Sequence, residues 1–149
     1  MTTPRKPHRY WISEGEVRSV VDIAKGIPKI SIWTLDSRRM TSERDVWDLW
    51  IEVFGFARLF APDRVGRNWD AMIDCFREVH SHPCAGWVII LRNADLLWED
   101  FPTLYYKTMD VWDSVATEWA HSADRPIPMK IVLVSEHAEL RRVIGHHLE

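Results

Sequence analysis

The sequence predicts an α/β domain: three parallel strands with helices packed against them, and an extra helix at each end. Three observations predict it. Trp87–Leu91 is apolar at every position, the pattern of a strand covered on both faces in a helix-lined parallel sheet. Ile30–Leu35 and Ile131–Val134 are two more short runs rich in β-branched and apolar residues. The stretches between these runs carry helical periodicity, so the order reads β-α-α-β-α-β with parallel pairing and right-handed crossovers.

Each element follows in turn. Residues 1–12 are polar and proline-bearing at first and are assigned to a flexible tail, leaving 13–149 as a single domain. Ser13 and Glu16 form a capping box, and Val17, Val20, Val21 and Ala24 follow at helical spacing until Gly26 and Pro28 stop the helix. Ile30–Leu35 is the first strand. Ser42 with Asp45 opens a helix whose apolar stripe is Val46, Leu49, Trp50, Val53 and Phe54, with Gly55 at its end. Phe56–Ala61 reads as an unusually apolar loop, and Pro62, Asp63 and Gly66 as a turn. Asn68 caps the helix Trp69–Val79. That helix sets Trp69, Met72, Ile73, Phe76 and Val79 against Asp70, Asp74, Arg77 and Glu78. After the central strand, Leu104, Thr108, Val111, Trp112, Val115 and Trp119 line one face of a long helix. Pro126 and Pro128 precede the last strand, and Glu136–Ile144 closes the chain as a helix.

Composition narrows function before any motif does. A chain of 149 residues is one domain's worth and buries about 68–70% of its unfolded surface without a staple. Lys and Arg number 19 and Asp and Glu 22, a net charge of −3, which argues against direct nucleic-acid or anionic-membrane binding. The longest apolar run, Trp87–Leu91, is far short of the ~20 residues a membrane helix needs. Nine tryptophans are expected to fill the core, with one or two left at a surface. Arg5, Lys6 and Arg9 are followed by no apolar stretch, so no secretory signal is expected; Cys75 and Cys84 are expected as free thiols in the cytoplasm.

Catalytic motifs are missing. No phosphate-binding glycine loop, nucleophile elbow or H-E-x-x-H occurs. His80, His82 and Cys84 make an H-x-H-x-C cluster that is short of a fourth metal ligand and reads equally as a polar loop. The informative pair is Asp70 and Asp74, one helical turn apart on one face. A solvated acidic face explains the pair, and so does a rigid anionic patch fitting a cationic groove. A carboxylate pair for acid–base catalysis would need opposed groups across a cleft.

The run Pro62-Asp63-Arg64-Val65-Gly66-Arg67-Asn68-Trp69-Asp70-Ala71-Met72-Ile73-Asp74-Cys75 resembles the barstar family of intracellular ribonuclease inhibitors. The family pattern is Pro-[Asp/Glu]-Tyr-Tyr-Gly-x-Asn-x-Asp-Ala-x-x-Asp-Cys. Pro62, Asp63, Gly66, Asn68, Asp70, Ala71, Asp74 and Cys75 fit it, and the resemblance extends over about 30–134. It implies a three-stranded parallel sheet and a protein that blocks a nuclease active site with an acidic helix and the loop before it. The implied contact residues are Arg64, Val65, Gly66, Arg67, Asn68, Asp70, Ile73, Asp74 and Arg77. Asp70 and Asp74 would take the place of substrate phosphates. An acidic contact from the long helix is also implied, at Asp113 or Glu118.

Departures from the pattern bear on the partner. Arg64 and Val65 stand where the family has tandem tyrosines, and Ile73 stands where barstar has Trp. Phe56–Ala61 looks like an insertion; Phe56 or Phe60 either anchors in a toxin pocket or packs on the protein's own core. The expectation is a cytoplasmic antitoxin, monomeric when free, that binds one cognate ribonuclease or nuclease toxin without catalysis, cofactor or metal. Two alternatives stay open: a non-inhibitory interaction module on the same fold, and a small metal-dependent hydrolase around the His80–Cys84 loop.

Overall fold

Four strands, all parallel, form one sheet in the computed structural model, which describes residues 8–58, 65–80 and 84–148, the side chains of 144–148 excepted. The strands are β1 (Arg9–Ile12), β2 (Ile30–Asp36), β3 (Gly86–Arg92) and β4 (Met129–Val134), in the order β1-β4-β3-β2. Register places Ser31 and Met129 on either side of Trp87, and Trp33 and Ile131 on either side of Ile89. Gly86 sits where strands and loop crowd together. A Cβ there would lie 2.9 Å from Ile30 Cδ1 and 3.2 Å from the Pro128 carbonyl oxygen.

The strand count corrects the three-strand expectation. Residues 9–12, assigned with the tail, are β1, paired with β4 from Arg9↔Ile131 to Ile12↔Val134. The physical reason is visible in the burial. Trp11 joins the larger core on one face of the sheet, and Ile12 joins Val132 and Val134 on the other. Residues 1–7 of that tail lie outside the described residues.

The two faces of the sheet carry different layers. Leu35, Trp87, Ile89, Leu91, Met129, Ile131 and Leu133 pack into the larger core. That core also takes the buried sides of α2 (Glu43–Val53), α3 (Trp69–His80) and α5 (Pro102–Ala120). Ile90 and Val132 point the other way, with Ile32 and Val88, against Val17, Val20 and Val21 of α1 (Val17–Lys25). The alternation along β3 is what its unbroken apolar run foretold. A short helix α4 (Ala94–Asp100), which the sequence reading did not place, packs on α5. The closing helix α6 (Ala138–Leu148) packs on β1.

Local signals explain the ends of α2. The Ser42 hydroxyl accepts from the Asp45 amide at 3.1 Å, and Gly55 follows the helix at φ 71°, a left-handed conformation that favours glycine. Phe56 then enters a 3-10 turn and is fully buried, 5.7 Å from Phe54 and 5.1 Å from Phe76 between ring centroids. Of the two roles considered for it, the core claims Phe56; Phe60 lies outside the described residues. None of the nine tryptophans is fully exposed, and those that reach the surface do so only in part. Trp33, Trp47, Trp69 and Trp98 are half-buried against the larger core, and the rest are buried.

Candidate partner-binding site

Helix α3 begins at a side-chain cap. Asn68 Oδ1 accepts from the Ala71 amide at 2.8 Å, and the Met72 amide donates to the Asn68 carbonyl at 3.2 Å. Asp70 falls in the first turn, where the helix dipole favours an anion. Met72, Cys75 and Phe76 are buried, and Trp69, Ile73 and Val79 pack partly against the core, so one side of the helix is fixed. The opposite side presents Asp70 and Asp74 to solvent, with the Asp74 side chain 73% exposed. The two carboxylates therefore stand on a helix held at its start by a cap and along its length by the core.

Cys75 follows Asp74 into the interior. Burial pushes its thiol up to about 11, and the Asp74 carboxylate beside it pushes the same way. A thiol held protonated at neutral pH is a poor nucleophile, so Cys75 serves packing.

Two basic residues around the acidic pair, Arg77 and Arg67, are engaged with acids of the same chain. Arg77 Nη1 lies 3.4 Å from Asp74 Oδ1. Its Nε lies 3.1 and 3.3 Å from the two oxygens of Glu118 on α5. Arg67 Nε donates to Asp48 Oδ1 of α2 at 3.2 Å, and its Nη1 to the Val65 carbonyl at 2.7 Å. Val65 is buried at 5% exposure and belongs to the core, so its side chain offers no surface to a partner. Gly66 is exposed, and a Cβ there would meet that of Ala71 at 3.1 Å. Arg64 lies outside the described residues.

The two acids considered on α5 part company. Glu118 joins the α3 surface through Arg77. Asp113 is pulled to the other side, paired with the Arg9 guanidinium of β1, whose side chain is 4% exposed. Neither the Arg77–Glu118 link nor the Arg67–Asp48 link was placed from sequence; the partners are 41 and 19 residues apart, and periodicity reports only neighbours on one element.

Of the H-x-H-x-C segment, His80 and Cys84 are among the described residues. His80 ends α3, donates from Nε2 to the Arg125 carbonyl at 3.0 Å and lies 5.4 Å from Trp119 between ring centroids. Cys84 is half-buried, and His82 lies outside the described residues. Among the described residues no group of three His, Cys, Asp or Glu is placed to hold a metal ion. Among them, too, no helix is long and apolar enough to cross a membrane.

Comparison with protein families places residues 30–134 in a match to Barstar, described as Barstar (barnase inhibitor). The chain belongs to the Barstar family. The matched span runs from the first residue of β2 to the last of β4, and it contains α3 and α5 entire. Strand β1 and helices α1 and α6 lie outside it and flank the Barstar core. Comparison with curated proteins and with solved structures returns no match. The Barstar description is that of an inhibitor, an activity exerted by binding rather than catalysis.

Proposed function

We propose that the protein is an antitoxin. It binds a cognate microbial ribonuclease or nuclease toxin in the cytoplasm and covers the active site with α3 and the loop before it. The observation that carries this reading is the exposed pair Asp70 and Asp74, one turn apart on a capped, core-anchored helix of a Barstar fold. A nuclease cleft holds phosphates with cations, and two carboxylates on a fixed helix, one turn apart, present charge to those cations with no backbone ordering cost. Asn68 contributes by setting the helix start, Glu118 by extending the acidic surface across to α5.

Inhibition of a nuclease retained from source-organism lysate tests it. The full chain and an Asp70→Ala/Asp74→Ala variant are compared as capture reagents, and the retained nuclease is then assayed with each. The expected result is retention and inhibition by the natural chain and loss of both by the variant. Asp74→Ala alone is expected to cost at least about 2 kcal/mol of binding, the threshold of a hot spot. Retention of a nuclease equally by both chains would move the contact away from α3.

A further inference from the structure

Asp70, Asp74 and Arg77 stand at i, i+4 and i+7 along α3 and share one face. Glu118 continues that row onto α5, so the row reads acid, acid, base, acid. Arg77 is held in the row rather than trailing from it: Glu118 takes its Nε and Asp74 its Nη1. Its side chain is still 56% exposed, and its Nη2 donates to no acceptor among the described residues. A guanidinium carries five donors in a rigid fork, so one edge can serve neighbours while another is offered to a partner. Arg77 and Glu118 also line an open cavity of about 410 Å³ with His80, Trp119, His121 and Ser122, room enough for one partner side chain.

A cation drawn to Asp74 or Glu118 thus arrives beside a fixed positive charge. Like charges at close range are how an interface rejects a wrong partner, and a carboxylate opposite Arg77 removes the repulsion. Building on the antitoxin reading, we propose that Arg77 selects the partner: the site takes a nuclease surface in which a carboxylate stands among cations, and rejects one made of cations alone. Arg77 is then a specificity residue. A mere strut between α3 and α5 would have no preference for what faces it.

The test uses a defined probe. A phage-displayed rigid helical scaffold, its exposed positions varied among Lys, Asp and Ser, is selected against the full natural chain. Binders that lose affinity on Asp74→Ala are kept. The expected binders carry at least one Asp among their Lys residues. Changing that Asp to Lys weakens binding to the natural chain by about tenfold or more, and has much less effect on binding to Arg77→Ala. Arg77 makes only exposed ion pairs, which contribute little to stability, so that variant is expected to fold. Binders built from Lys alone would overturn the proposal. So would equal losses with and without Arg77, or a selection that yields no Asp74-dependent binder. The library contains no nuclease, so this result and the capture of a nuclease can fail separately.

Discussion

Trp50 of α2 and Trp112 of α5 stack with ring centroids 5.4 Å apart and planes 28° from parallel, joining the two helices over the sheet. Trp50 also meets Trp69 of α3 edge-on at 5.7 Å and Phe76 at 5.9 Å. The indole that fixes α2 to α5 thereby also holds the first residue of α3 and Phe76, two turns further along its buried face. Stability and the presentation of Asp70 and Asp74 share this one contact.

Removing the ring should therefore be severe. Trp50 is fully buried, and truncating such a side chain to alanine typically costs about 3–5 kcal/mol, from lost burial and the cavity left behind. Its indole N–H is buried and donates to no acceptor among the described residues. A buried donor left unmade is itself a cost, so Trp50→Phe gives back part of what it loses in contact area. Guanidinium unfolding is expected to show a large drop in midpoint for Trp50→Ala and a drop less than half as large for Trp50→Phe. A loss for Trp50→Phe greater than half that for Trp50→Ala would mean that the N–H is satisfied in solution.

The cap of α3 gives a smaller and more local effect. Asn68→Ala removes the side-chain acceptor of the Ala71 amide and is expected to cost about 1 kcal/mol in urea unfolding. Asn68→Asp and Asn68→Ser keep an acceptor and should retain most of that stability. A loss as large for Asp as for Ala would place the role of Asn68 elsewhere than in the cap.

The same residues show what the sequence could tell and what it could not. Asn68 as a cap, Ser42 as a cap, Gly55 as a helix end and the double burial of β3 are written locally, in residue type and spacing, and the structure has them where those signals lie. Strand β1 escaped because Tyr10, Trp11 and Ile12 make a run too short to stand out, and its partner β4 lies some hundred and twenty residues on. Phe56 was ambiguous because an apolar loop residue looks alike whether it faces the core or a partner; only packing against Phe54 and Phe76 decides. The motif placed Asp70 and Asp74 on one helix face. It could not place Glu118 beside Arg77, because that pair exists only once α5 has crossed α3.

Charge on that face has a kinetic consequence. If Asp70 and Asp74 draw a cationic cleft, association is steered and slows as salt rises, since ions screen exposed charges over about 8–10 Å at physiological strength. The association rate of the captured nuclease is expected to fall several-fold between about 50 and 500 mM salt, a range that crosses that screening length. The Asp70→Ala/Asp74→Ala variant should show a flatter dependence. A rate indifferent to salt in the natural chain would rule out electrostatic steering.

Acid stability should depend on Asp36 at the end of β2. Arg38 donates from Nε to Oδ1 at 3.1 Å and to Oδ2 at 2.9 Å, and from Nη2 to Oδ2 at 2.6 Å. The Arg38 amide and Asn93 Nδ2 donate to Oδ1 at 3.0 and 2.9 Å. The Arg38 side chain is the chief cause that holds the Asp36 carboxyl down to about 2, against an ordinary 3.8. A carboxyl with a lower value folded than unfolded stabilises the fold above the unfolded value and loses that contribution as pH falls. The loss should therefore run from near 3.8 down through about 2. Arg38 is exposed, so solvent screens the pair and the contribution should be smaller than the depressed carboxyl alone would suggest. Asp36→Asn, which cannot ionise, should be less stable than the natural chain at pH 6, and the gap should narrow as unfolding is repeated down to pH 2. A gap that stays constant with pH would show that Asp36 acts by its hydrogen bonds alone and not by its charge.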